Sequence, residues 1–328
     1  MTLAQLRTFL TVLETGSFSA AALELDSAQS AISYAVAELE RELGAKLLER
    51  GRFGARPTNV GQQIASHARQ ILSLEDAVRQ EAELSRGDLS GTVRVATFRS
   101  VASRIVPKAM KRLARTYPKL KVQLLEADGD AARLEYAVLH GQAELSFMEA
   151  PFPNGLLSWE LLRDPYIALV PRDHPLAGAP VTRSDLSDSP LILYDSGDKC
   201  SVRIGRYLSG FRESSGYPTY NVREDSTIEA MVSQGLGLSV VPELAFLALP
   251  ENVTRSPLAE PLERTIGVTI LPSSLKIPAV RAFLGALKLQ FPESSLPSLE
   301  PYIKTGSKKK AAECPPELWL EADNGVEA

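Results

Sequence analysis

The thiol of Cys200 is a candidate redox group. In the stretch Lys199-Cys200-Ser201-Val202-Arg203 it falls at or near a helix N-terminus, beside one cation and close to another. The helix dipole and the cations favour thiolate, the oxidisable form. No cysteine follows between Val202 and Phe211, and Cys314 lies far along the chain. A redox role would therefore stop at sulfenic acid or a mixed disulfide. The other reading is a small buried residue lining a metabolite cleft, since buried cysteines are mostly inert. Hydroxyls and carboxylates at strand ends and helix starts form a second set: Thr97, Ser100, Ser103, Asp128, Asp130, Ser201, Ser226 and Thr227. Backbone N–H groups at such helix starts favour an anion, although each of these residue types is also an ordinary N-cap. His67, His140 and His174 have no ligand spacing to Cys or carboxylate, so no metal site is expected. Gly235-Leu236-Gly237 lacks the third glycine of a phosphate-binding fingerprint, and no nucleophile-and-base motif stands out. No cofactor and no enzymatic activity are expected.

A third set suits nucleic acid. Gln29, Ser30, Ser33 and Tyr34 fall in the first turns of a helix, off its Ile32, Val36 and Leu39 stripe. Small polar and aromatic groups there suit base edges and phosphates, because the N-terminal turn of a recognition helix enters the major groove. Lys46, Arg50, Arg52 and Arg56 surround Gly51 and Gly54, and a basic hairpin there can lie on backbone phosphates. Residues 1–58 carry six Lys/Arg against seven Asp/Glu, but five of the six bases fall within 41–56. Position, not net charge, favours DNA.

The elements that must hold these groups follow from periodicity and punctuation. Leu3, Leu6, Phe9, Leu10 and Leu13 recur at helical spacing up to Gly16, and Ser17 can cap a second helix. A third helix ends at Gly44, which completes a helix-turn-helix candidate. Residues 58–88 read as one long helix. Its Ile64, Ala68, Ile71, Val78 and Ala82 suit a coiled-coil seam, with Glu75 at the skipped position. From Gly91 onward the pattern alternates between strands and helices: a βαβαβ unit to Met148, then a second run from Tyr166. That implies a mainly parallel sheet. Of 22 prolines only Pro57 precedes Pro107, consistent with a helical first third.

Whole-chain numbers set limits. With 36 Lys/Arg against 40 Asp/Glu the net charge is −4, which excludes an all-over basic coat. Two cysteines cannot build a disulfide framework, as expected of a reducing compartment. Met1 to Leu10 lacks a secretory pattern and no run approaches a membrane span, so a cytoplasmic protein with no membrane partner is expected.

Residues 6–61 resemble the winged helix-turn-helix of LysR-type transcriptional regulators. The resemblance rests on Phe9 to Glu14, Gly16-Ser17-Phe18, Ala21-Ala22, Gln29 to Ser33, Leu39-Glu40, Leu43-Gly44, Leu47 to Arg50, and Thr58 with Gly61. Ser30 stands where proline is common, Ala37 where a base often sits, and Pro57-Thr58 where Leu-Thr is usual. Further markers are Arg86-Gly87-Asp88, Tyr117-Pro118, Leu139 with Gly141, Leu169-Val170-Pro171, His174-Pro175-Leu176, and Gly235 to Leu238 ahead of Pro242. The resemblance implies an α/β protein with an all-α N-terminal winged helix-turn-helix and a two-lobed, periplasmic-binding-protein-like effector domain.

The expected divisions are residues 1–58 for DNA binding and 59–89 for a dimerising linker helix. Residues 90–292 form the effector domain, with lobe I about 90–162 and 266–292 and lobe II about 163–265, and 293–328 a flexible tail carrying Lys308 to Lys310. The implied partners are double-stranded DNA, a small-molecule effector and further copies of the chain, as dimer or tetramer. The implied DNA-binding set is Ser17, Gln29, Ser30, Ser33, Tyr34, Arg50, Arg52 and Thr58. The implied effector set is Thr97, Ser100, Ser103, Asp128, Cys200, Ser201, Ser226 and Thr227, converging on one cleft. Peroxide-sensing members of the family carry a cysteine comparable to Cys200, usually with a second several residues later. A cytoplasmic solute-binding protein or enzyme on the α/β lobes is the alternative of another class.

Overall fold

The computed structural model describes residues 1–51, 54–127, 130–195, 197, 199–211 and 216–298. The chain opens with three helices, α1 (Leu3–Thr15), α2 (Phe18–Glu24) and α3 (Gln29–Leu43). Thr2 and Gln5 cap α1 reciprocally, and the Ser17 hydroxyl accepts from the N–H groups of Ser19 and Ala20 at the start of α2. Gly16 and Gly44 end α1 and α3 in the left-handed conformation. Leu6, Phe9, Val12, Ala21, Val36 and Leu39 are buried together as the head's core.

A hairpin follows, β1 (Leu48–Gly51) antiparallel to β2 (Gly54–Pro57), and the chain enters α4 (Asn59–Leu84). Its 26 residues span about 39 Å at 1.5 Å each. The Thr58 hydroxyl caps this helix by accepting from the Gly61 N–H at 2.9 Å. Gly61 passes so close to the Leu47 carbonyl that a Cβ there would collide with it. Ala65 and Ala68 of α4 complete the head core, while Ala77 joins the core of the next domain.

That domain contains β3 (Ser90–Thr97), α5 (Arg99–Arg104), α6 (Val106–Thr116), β4 (Lys119–Glu126), α7 (Ala131–Leu139), β5 (Leu145–Glu149) and β6 (Leu157–Pro171). Next come α8 (Arg183–Ser187), β7 (Leu191–Tyr194), α9 (Lys199–Leu208), β8 (Thr219–Val222), α10 (Asp225–Ser233) and β9 (Ser239–Pro242). The last elements are β10 (Val253–Pro257), β11 (Glu263–Ile270) and α11 (Pro278–Gln290). In lobe I the order is β4-β3-β5-β11-β6; β3 runs parallel to β4 and β5, whereas β11 is antiparallel to both β5 and β6. In lobe II, β9 and β10 both pair antiparallel with β6, and β7 pairs parallel with β8. The sheets are thus mixed, not mainly parallel as the strand–helix alternation suggested.

β6 carries the chain from one lobe to the other, changing partners between Pro165 and Tyr166. It is one strand of 15 residues whose first half pairs with β11 in lobe I and whose second half pairs with β9 and β10 in lobe II. Asp164-Pro165 reads as a break in sequence. Pro165 is tolerated because it lies opposite Glu263, where β11 begins and β6 changes partners. Phe147, Val268 and Phe283 anchor the core of lobe I, and α11 is buried from Pro278 to Leu287. The expected tail begins later than its composition suggests. Leu296 is 3% exposed in the core of lobe I, and Ser295 donates from its N–H to the Glu160 carbonyl at 3.0 Å. Cys314 and Lys308 to Lys310 lie outside the described residues.

Candidate functional site

In the head, α3 buries Ile32, Val36 and Leu39 and turns Gln29, Ser30 and Tyr34 outward, with Tyr34 72% exposed and Ser33 half-buried. Ala28, the N-cap, supplies no side-chain bond. The first N–H groups of α3 therefore have no side-chain cap of their own. Ser17 and Thr58 have structural work: Ser17 caps α2, and the Thr58 hydroxyl donates to the Lys46 carbonyl at 2.7 Å while capping α4. Arg50 sits on β1 opposite Ala55, Arg56 is exposed on β2, and Arg52 lies outside the described residues. Lys46 turns back to Glu40 at 2.6 Å. Burial works against charge on Glu40, but hydrogen bonds from Lys46 and from the N–H groups of Leu47 and Leu48 outweigh it, holding the carboxyl below its usual range.

The helix seam differs from the expected one. Ala68 is buried in the head core and Ile64 packs on it. Glu75 is not a gap in a stripe but pairs with Arg7 and Arg79, both at 2.5 Å. The exposed large apolar residues of α4 are Val60, Ile71, Leu74 and Val78, and Ala82 is exposed as well, so Ile71, Val78 and Ala82 of the expected seam stay outward.

Between the lobes lies a cleft of about 110 Å³. Lobe I contributes Phe98, Arg99, Ser100, Ala131, Leu134, Met148 and Glu149. Lobe II contributes Tyr194, Lys199, Cys200, Arg223, Asp225, Pro242 and Ala245. Of the residues expected there, Ser100 and Cys200 line it. Thr97 is fully buried and its hydroxyl donates to the Phe98 carbonyl at 3.3 Å. Ser103 points its hydroxyl back to the Ser100 carbonyl, and the Ser201 hydroxyl accepts from the Gly197 N–H at 3.2 Å. Ser226 and Thr227 are exposed off the cleft, where their neighbour Asp225 takes the place expected of them. Asp128 lies outside the described residues.

The floor of the cleft is an ionic network that sequence reasoning missed, because its members lie up to 115 positions apart. Arg264, at the base of β11, donates to Asp164 at 2.8 Å, to Glu149 at 2.9 Å and to the Ser100 hydroxyl at 3.0 Å. Arg203 reaches Glu149 at 3.0 Å from the other lobe, and Asp164 also accepts from the Leu244 N–H at 2.9 Å. Burial disfavours the charge of Arg264, but Glu149 and Asp164 more than restore it. Other links cross the cleft: Arg99 pairs with Glu224 at 2.9 Å, and the Lys199 ammonium donates to the Glu149 carbonyl at 3.2 Å. Tyr194 donates to Asp225 at 2.7 Å, and burial first, then that carboxylate, pushes its phenol well above the usual range. Cys200 is buried and its sulfur accepts from the Tyr166 hydroxyl at 3.4 Å. Burial, followed by Cys200, likewise raises the Tyr166 phenol. Charged groups from both lobes face apolar walls of Leu134, Met148 and Ala245, an arrangement suited to gripping a small polar molecule with an apolar body. Among the described residues no group of three or more His, Cys, Asp or Glu could hold a metal ion. No helix among them is long and apolar enough to cross a membrane.

Comparison with known proteins gives two family matches. The profile of the bacterial regulatory helix-turn-helix protein, lysR family, matches residues 3–62, and that of the LysR substrate binding domain matches residues 86–292. A probable HTH-type transcriptional regulator, LrrA of Synechococcus elongatus, is 40% identical over 294 residues, covering 89% of this chain and 98% of its own. Among solved structures, a full-length OxyR variant from Pseudomonas aeruginosa superposes with a TM-score of 0.72 at 24% identity, over 94% of this chain and 99% of that one. Full-length CbnR, solved with its target DNA, superposes with a TM-score of 0.59 at 22% identity, over 88% of this chain and 99% of that one. At these identities both structures establish the shared fold.

Proposed function

The chain belongs to the LysR family of transcriptional regulators, and we propose that residues 1–58 read DNA, α4 pairs two copies, and a small effector in the inter-lobe cleft sets their geometry. The observation that carries this reading is the division of α3. Ile32, Val36 and Leu39 hold it in the head, while Gln29, Ser30 and Tyr34 face outward at the end that would enter a major groove. Ser33 flanks this face, Ser17 and Thr58 set the helix starts beside it, and the β1–β2 hairpin is the wing for backbone phosphates, the role expected of Arg50 and of Arg52, which lies outside the described residues. The exposed Val60, Ile71, Leu74 and Val78 stripe is the surface for a second α4. That CbnR, which shares this fold, was solved with its target DNA supports DNA as the partner.

An effector that favours one lobe arrangement shifts the population of dimer geometries and so the spacing or bending of two half-sites. Arg99 to Glu224 and Lys199 to Glu149 are the cross-cleft links such a molecule rearranges. On this reading the protein is a cytoplasmic regulator and not an enzyme. Cys200 supports a second reading, a one-cysteine redox sensor. Cys200 is among the residues lining the cleft, and its sulfur meets the Tyr166 hydroxyl. Peroxide treatment followed by a sulfenic-acid probe and mass spectrometry separates the two, since an unreactive Cys200 leaves only the small-molecule effector.

The test of DNA reading is selection of bound fragments by the full chain, followed by gel shifts. Gln29→Ala should blur the sequence preference, and Arg50→Ala should weaken all sequences and lower the salt slope by about one. Parent-like behaviour of both variants would refute the placement.

A further inference from the structure

A second cavity, of about 70 Å³, lies where α4 passes lobe I. Its polar wall comes from Arg69, Gln70 and Ser73 on α4 and from Arg94, Glu144, Ser273 and Ser274 on lobe I. The Arg69 side chain is 5% exposed, and its bonds are poor for a buried cation. Nε approaches Glu14 at 3.5 Å and Nη1 donates to the His140 carbonyl at 3.4 Å, against about 2.7–2.9 Å for a good charge-assisted bond. Nη2 has no partner among the described residues. Arg94 grips Glu144 through Nε and Nη2, and its Nη1 likewise has no partner among the described residues. The side chains of Ser73, Ser273 and Ser274 make no hydrogen bond among them either. Glu144, the acid in this wall, is already bonded to the Arg94 guanidinium and to the Arg94 N–H at 2.7 Å.

A guanidinium carries five N–H donors and no acceptor, and a buried one is costly when under-coordinated. A buried guanidinium (Arg69) and a half-buried one (Arg94), each with spare donors and set around one small space with three hydroxyls, are the complement of an oxyanion. The volume admits a phosphate, a sulfate or a short carboxylate and excludes a nucleotide. We propose that this cavity binds a small oxyanion between Arg69 and Arg94. Because Arg69 belongs to the helix that carries the head and Arg94 to β3, the bound ion ties the head's helix to lobe I, independently of the inter-lobe cleft.

The experiment uses the full chain at constant ionic strength, with sodium phosphate, sulfate or acetate replacing chloride, read by thermal unfolding and isothermal titration calorimetry. A saturable rise in Tm that chloride does not reproduce is expected. Ser273→Asp, at the exposed rim, and Arg94→Lys should each weaken the apparent affinity by about tenfold or more. Saturation by phosphate and sulfate alone assigns the site to tetrahedral ions, and saturation by acetate as well extends it to carboxylates. A non-saturable rise equal in both variants would overturn the site. So would a response that Ser273→Asp keeps and Lys199→Ala removes, since the ion would then lie in the inter-lobe cleft.

Discussion

Arg264→Met should strand one particular charge. Glu149 would keep Arg203 at 3.0 Å, and Ser100 would lose only a hydrogen bond from its hydroxyl. Asp164, whose side chain is 3% exposed, would keep nothing but the Leu244 N–H at 2.9 Å. Removing one partner of a buried pair costs about 3–5 kcal/mol, most of it from the uncompensated charge left behind. In a unit of about 200 residues each kcal/mol lowers Tm by about 2–4 °C, so a loss of about 6–20 °C is expected. Scanning calorimetry gives the midpoint, and the fluorescence of Trp159 in β6 follows lobe I during urea unfolding. Adding Asp164→Asn to Arg264→Met removes the stranded charge and should recover more than half of the loss. A single variant that loses less than about 1 kcal/mol would refute the reasoning, as would a double variant no more stable than the single.

Glu40 has a folded pKa held below its usual value, so its contribution is complete above an unfolded pKa of about 4.3 and disappears as pH falls through the lower folded value. Glu40→Gln should therefore flatten the acid limb of a pH–stability curve measured by circular dichroism, and two superimposable limbs would contradict it. Gly61→Ala drives a Cβ into the Leu47 carbonyl and should cost about 1–3 kcal/mol in urea titrations; parent stability would deny the close approach. Leu74→Glu should dissociate the dimer in sedimentation velocity, because Leu74 lies on the exposed stripe of α4, and a dimer unchanged from the parent would place the interface elsewhere.

The head was legible in the sequence because its signals are local. Helical spacing, Ser17 as a cap, and Gly16 and Gly44 as stops lie within one or two turns of what they control. The seam of α4 was only half legible. A period-of-seven pattern cannot say which neighbour a helix face meets, and Ala68 faces its own head while Leu74 faces outward. Cys200 and Ser100 were placed in the cleft by their position at helix starts, but Ser226 and Thr227 missed by one turn position, where Asp225 faces inward. Nothing local marks Asp164, Glu149, Arg203 and Arg264 as partners. Their meeting depends on β6 crossing between lobes beside the start of β11, and each alone looks like an ordinary surface charge.

That crossing has a consequence for the order in which the protein is made. Head and α4 are complete once about 85 residues have formed, and lobe II closes with β10. Lobe I must wait for β11 and α11, holding β5 unpaired on one side until a strand more than 110 positions later arrives. Non-local pairings of this kind are slow and leave apolar surface exposed in the meantime. A chain stopped before Pro278 would carry a finished reading head and lobe II above an open lobe I. It would also lack the bond from the Ala279 N–H to Gln80 and the Arg281–Glu81 pair that bind α4. Among the described residues α11 is made after every other helix and fastens the DNA-reading end to the rest of the molecule, so a chain stopped before it retains the head without the coupling that would regulate it.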